Sequence, residues 1–143
     1  MADRTEATII IDAAPVEILD VIGDLESYPQ WSEGITSVEV ISTKKKRPDH
    51  ARFVLDAGIV KDTYELSYAW KENLVEWHLV EATMLSQMDG SYTLTDLGDG
   101  RTEVAYALTV DIKMPMLGML KRKAEKTIVD TALKGLKARV EAS

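Results

Sequence analysis

The sequence predicts an α+β chain in which a curved, seven-stranded antiparallel sheet wraps around one long C-terminal helix, with two short helices after the first strand. Three observations carry this. Alternating apolar and polar segments, separated by short turn signals, fill the middle of the chain. A proline-free stretch from Met116 to Val140 repeats apolar residues at helical spacing. One strand-like segment opens the chain and is followed by two short helical patterns interrupted by prolines.

The first strand is Ala7 to Asp12, rich in β-branched residues. Ala13-Ala14-Pro15 opens a helix, because proline in the first turn gives up an N–H that has no partner anyway. Val16, Leu19 and Ile22 give that helix an apolar side, and Gly23 or Asp24 ends it. A second short turn is expected to stop before Pro29, since the residue preceding proline is pushed out of the α region. Six strands follow: Ile35 to Ser42, His50 to Ala57, Val60 to Trp70, Leu74 to Glu81, Leu85 to Leu97 and Arg101 to Ile112. The last puts Val104, Tyr106, Leu108, Val110 and Ile112 on one face and polar or small residues on the other. Arg47-Pro48-Asp49, Lys71-Glu72-Asn73 and Gly98-Asp99-Gly100 read as turns, and connections this short imply an antiparallel meander. The final helix carries Met116, Leu120, Ala124, Ile128, Ala132, Leu136 and Val140 as a stripe widened by Leu117 and Leu133. Its polar side holds Lys121, Arg122, Glu125, Lys126, Asp130, Lys134 and Lys137. About 25 residues at 1.5 Å each make it roughly 37 Å long. One helix cannot cover so wide a sheet unless the sheet curls around it, and a curled sheet leaves space beneath the helix, to be filled either by large side chains or by a ligand.

At 143 residues the chain is read as a single domain, residues 1–143. A net charge of −7 argues against nucleic acid as a partner, because phosphate neutralisation supplies most of that affinity. No apolar run approaches the roughly 20 residues of a membrane helix, and the charged N-terminus lacks a signal region. A cytoplasmic location is expected. Two basic clusters, Lys44 to Arg47 and Lys121 to Lys123 with Lys126, run against the overall sign. The first reads as a solvated hairpin turn. The second adjoins Met114-Pro115-Met116-Leu117-Gly118-Met119-Leu120, where pliable methionines form a packed helix start, a pocket wall or a site of transient membrane contact.

Taken together, Ile9-Ile10-Ile11-Asp12, Ala14-Pro15-Val16-Glu17, Asp24-Leu25-Glu26-Ser27-Tyr28-Pro29-Gln30-Trp31, Asp89-Gly90-Ser91-Tyr92 and Pro115-Met116-Leu117 resemble the Bet v 1-like, START or SRPBCC superfamily. The likeness is to its bacterial polyketide cyclase/dehydrase-like branch and covers nearly the whole chain. It implies a helix-grip fold in which the two short helices form a wedge under the C-terminal end of the long helix. Trp31 then packs near that wedge. The resemblance also implies a ligand cavity, with lipids, isoprenoids and aromatic polyketides as the ligand classes.

Catalytic signatures are missing. There is no cysteine, no nucleophile elbow, no phosphate loop and no dinucleotide fingerprint. No cofactor and no metal are called for. His50 and His78 read as surface residues, His78 because it neighbours Trp77 on one strand and so faces the other way. Asp56, Asp62, Asp89 and Asp111 read as turn and solubility residues. One phenylalanine against five tyrosines and three tryptophans is a set of polar-tipped rings, whose buried O–H and N–H groups need partners. The candidate ligand-binding residues are Phe53, Tyr64, Tyr68, Trp77, Met88, Tyr92, Tyr106, Leu120, Ala124 and Ile128. The expected function is binding, with possible transport, of a small hydrophobic or amphipathic ligand between sheet and helix. The alternative is a polyketide cyclase, aromatase or dehydratase using the same cavity, with Tyr64, Tyr92 and Tyr106 as its interior hydroxyls.

Overall fold

β-branched Thr8, Ile9, Ile10 and Ile11 anchor the opening strand, β1 (Arg4–Ile11). The computed structural model describes residues 4–32, 34–56, 61–113 and 118–142. Pro15 opens α1 (Pro15–Gly23), which buries Ile18 and Ile22. A 3-10 helix, Leu25–Gln30, comes next and runs through Pro29 instead of ending before it. Pro29 gives up only its own N–H, and the N–H groups of Trp31 and Ser32 still close the turn on the Tyr28 carbonyl.

The remaining strands are β2 (Ile35–Lys44), β3 (Arg47–Asp56), β4 (Lys61–Lys71), β5 (Leu74–Ala82), β6 (Leu85–Asp96) and β7 (Thr102–Ile112). With β1 they form one antiparallel sheet in the order β1-β7-β6-β5-β4-β3-β2. Register shifts interrupt the β2–β3, β4–β5 and β6–β7 ladders. Such bulges raise local twist and let the sheet curl. The expected turn at Arg47-Pro48-Asp49 is corrected: the chain reverses at Lys45 and Lys46, with φ of 51° and 67°. Arg47 and Pro48 already pair with Lys44 and Thr43. Arg47 returns to α1, donating to the Leu19 carbonyl and pairing with Asp20, and it also lies over the Trp70 ring.

The long helix, α2 (Gly118–Glu141), buries Glu125, Val129, Leu133, Leu136 and Val140. This corrects the stripe read from the sequence. Ile128 is 37% exposed, whereas Glu125, assigned to the polar side, is 1% exposed. Four residues turn a helix by about 400°, so a strict every-four pattern drifts roughly 40° per step and cannot hold one face. Met116 and Leu117 lie outside the described residues. Among the described residues, no helix is long and apolar enough to cross a membrane.

α2 also closes the β1 edge. Lys137 Nζ donates to the Ile10 carbonyl, Glu141 accepts from the Asp12 N–H, and the two side chains pair at 2.7 Å. At the other edge the Val40 N–H meets Glu26 of the 3-10 helix. Both contacts blunt strands that would otherwise recruit another chain. Asp62 is not the solvated turn residue expected. It is buried and accepts from the N–H groups of Thr63, Thr83, Met84 and Leu85, clamping the β5–β6 turn onto β4.

Candidate functional site

The wedge expected beneath α2 fixes the near wall of the site. The Tyr28 hydroxyl donates to the Ile22 carbonyl, and Trp31 lies 4.8 Å from the Tyr28 ring. The Trp31 backbone presses so closely on α2 that a Cβ at Gly135 would stand 2.7 Å from the Trp31 carbonyl oxygen. Glycine is therefore needed there for contact, at the cost of helix propensity. Trp31 does more than pack: it also borders the space described next.

Between the inner face of the sheet, the 3-10 to β2 connection and α2 lies a cavity of about 460 Å³. Of the candidate residues, Phe53, Tyr64, Tyr68, Trp77, Met88, Tyr92, Tyr106 and Ile128 line it. The side chains of Leu120 and Ala124 lie outside the described residues. Exposure gives the cavity a direction. Phe53, Tyr64, Trp77, Tyr92 and Tyr106 are at most 7% exposed and form its deep wall. Asp56, Thr127 and Ile128 are exposed and stand at its mouth. The sequence reading missed Ser32, Gly34, Ile35, Thr127, Thr131 and Ala132, which form the rim. Small or polar residues at a loop and on a helix flank carry no periodic signal, so only the folded contact reveals them.

Strand register explains the aromatic wall. Phe53 pairs with Tyr64, Tyr68 with Trp77, and Tyr92 with Tyr106, each across neighbouring strands and on the same face. Phe53 and Tyr64 stack at 5.3 Å, while Trp77 meets Tyr92 at 5.4 Å and Tyr106 edge-on at 5.7 Å. Trp77 lies flat across Gly90, its partner on β6. A Cβ at position 90 would fall 2.2 Å from the indole. Gly90 therefore sets how far the indole withdraws and how deep the cavity reaches.

Among the described residues, the hydroxyls of Tyr64, Tyr68, Tyr92 and Tyr106 have no hydrogen-bond partner, unlike that of Tyr28. The Trp31 N–H is buried and also has none among the described residues. Burial pushes the phenols of Tyr28, Tyr64, Tyr68, Tyr92 and Tyr106 up, and the proximity of Tyr106 pushes the other four further. They are neutral donors and acceptors at physiological pH, unsuited to act as phenolate bases. Asp56 is the one charged residue among the described lining side chains, and it stands at the mouth with Lys61 at 3.9 Å.

The histidines lie elsewhere. His50 contacts Glu65, and His78, on the strand face opposite Trp77, contacts Asp89 at 2.8 Å. The Arg52 guanidinium and His50 hold the Glu65 carboxyl below its ordinary range. Partial burial pushes Asp89 up, but hydrogen bonds from Gln87 and His78 outweigh it and hold the group low. Among the described residues, no group of three His, Asp or Glu side chains could hold a metal.

A curved antiparallel sheet gripping a C-terminal helix over an interior cavity is a helix-grip fold, shared with START-superfamily structures. The chain belongs to the family described as polyketide cyclase/dehydrase and lipid transport, whose model matches residues 2–141. A START superfamily protein from Mycobacterium smegmatis is similar in structure, with a TM-score of 0.89 at 21% identity over 97% of both chains. The Zhui aromatase/cyclase from Streptomyces sp. R1128 superposes with a TM-score of 0.81 at 14% identity, covering 99% of this chain and 94% of the other. A STAR-related lipid transfer protein fragment from Xanthomonas axonopodis gives 0.79 at 14% identity, over 96% of this chain and 85% of its own. At these identities the structures show a shared fold. No curated protein matches the chain by sequence.

Proposed function

We propose that the chain binds a small hydrophobic or amphipathic molecule in the cavity between sheet and α2. One observation carries this: an open, aromatic-walled cavity of about 460 Å³ exists where an ordinary core would be filled. The family description, which names lipid transport, supports it. The reading takes residues 1–143 as a single domain of a bacterial cytoplasmic protein. Native mass spectrometry of the purified chain tests it. A bound mass of a few hundred daltons that leaves on denaturation is expected, and apoprotein that refuses every apolar ligand offered would overturn it.

The cyclase reading is equally compatible with the fold and the family. The interior phenols favour it, because a neutral donor can polarise a substrate carbonyl. Against it, the one described lining carboxylate, Asp56, stands at the mouth, and no described imidazole lines the cavity to serve as the base. If the chain is such an enzyme, a poly-β-keto substrate analogue changes its ultraviolet spectrum on mixing, and Tyr106→Phe slows the change. An unaltered spectrum leaves binding as the function.

A further inference from the structure

We infer that the deep end of the cavity is a neutral polar floor that selects an uncharged, flat, oxygen-bearing ring system over alkyl lipids and acids. The inference rests on the binding reading above and adds the class of guest.

Four phenol hydroxyls, those of Tyr64, Tyr68, Tyr92 and Tyr106, meet no hydrogen-bond partner among the described residues, and their residues all line the cavity. They come from β4, β6 and β7, yet Tyr92 meets Tyr106 at 4.7 Å, Tyr68 and Tyr92 both pack on Trp77, and all four line the one cavity. A hydroxyl stripped of water by an apolar guest and left unmatched is costly. An alkyl chain threaded to the deep end would strip water from these groups and return no hydrogen bond. Carbonyl or hydroxyl oxygens on the guest would satisfy them. A phenol can donate or accept, so either guest group fits.

Shape and charge narrow the class further. Trp77, held flat on Gly90 and packed against Tyr92 and Tyr106, presents ring surface, as do stacked Phe53 and Tyr64. Planar guests pair with such walls. No described lining residue is cationic, so a carboxylate or phosphate buried against these residues gains no counter-charge from them. A fatty acid is disfavoured at both ends.

The test compares three probes on one protein by titration calorimetry at pH 7: 1,8-dihydroxyanthraquinone, anthracene with the same three-ring skeleton and no oxygen, and palmitoleate. The oxygenated probe should bind at least about tenfold more tightly than either other, as one or two net hydrogen bonds would give. The double variant Tyr92→Phe/Tyr106→Phe should lose about that factor for the oxygenated probe, and leave anthracene binding equal or stronger. Thermal melting of the variant should match wild type, because no protein contact is lost. Equal or tighter binding of anthracene or palmitoleate to wild type overturns the polar floor while leaving the cavity as a binding site. Unchanged affinity for the oxygenated probe in the double variant does the same. Failure of all three probes to bind overturns the inference together with the binding reading.

Discussion

A side chain as small as alanine at position 90 would bring a Cβ within 2.2 Å of the Trp77 indole. Gly90→Ala should therefore drive the ring into the cavity. Overpacking of this kind costs about 1–3 kcal/mol. The variant should melt lower and bind apolar ligands more weakly, which calorimetry and ligand titration check together. The tyrosines separate by partner. Tyr28→Phe removes a bond to the Ile22 carbonyl and should cost about 1 kcal/mol, whereas Tyr106→Phe should cost almost nothing. Alkali offers a second reading of the same residues. Burial raises the Tyr64 and Tyr68 phenols above their ordinary value of 10.0, so the folded chain keeps protons that the unfolded chain releases. Their contribution is fully present below pH 10 and declines as pH rises beyond it. Denaturant melts at stepped pH, followed by tyrosinate absorbance, should show stability falling above about pH 10 and ionisation appearing together with unfolding. The aromatic set was legible in the sequence because alternation assigns a face to each ring. The Trp77–Gly90 contact was not, since it depends on the register of two strands.

At the scale of elements, two contacts decide how the wedge and the strand ends hold. Alanine in place of a helical glycine ordinarily stabilises by about 1 kcal/mol. Gly135→Ala should do the reverse, because its Cβ would meet the Trp31 backbone at 2.7 Å and lift α2 from the wedge. A lowered denaturation midpoint is expected, and a raised one would show that the contact yields. Asp62→Ala leaves the N–H groups of Thr83, Met84 and Leu85 without their carboxylate. A loss of at least about 3 kcal/mol should follow, since hydrogen bonds to charged groups are the stronger kind. Local sequence could not reveal that clamp, because its donors lie more than twenty positions away. The β2–β3 turn was read in two places, correctly at Lys44 to Arg47 and wrongly at Arg47-Pro48-Asp49. Lys45 and Lys46 adopt the left-handed conformation that Asn and Gly normally signal, so the nearby Pro-Asp pair drew the turn toward itself. The phase of α2 was misread because an every-four repeat imitates a face that a 3.6-residue helix cannot keep.

For the molecule as a whole, the order of elements pointed to a sheet curled on a helix, and the family resemblance supplied the helix-grip arrangement and its wedge. One strand, two short helices, a six-strand meander and a long helix leave few ways to bury the sheet's apolar face. The bulges then let the sheet curl until it grips α2. Space remains where broad rings line one wall, while Thr127, Thr131 and Ala132 of α2 reach only partway across. The rim was invisible beforehand because its residues come from a loop and a helix flank that meet only in the folded chain. The direct test is a fluorescence titration with N-phenyl-1-naphthylamine, an uncharged probe that brightens when buried, run on wild type and on Ala132→Trp with folding checked by circular dichroism. Saturable one-to-one binding to wild type, lost in the folded variant, is the predicted result. A flat titration of wild type, or the same curve from a variant whose cavity has been filled, would contradict it.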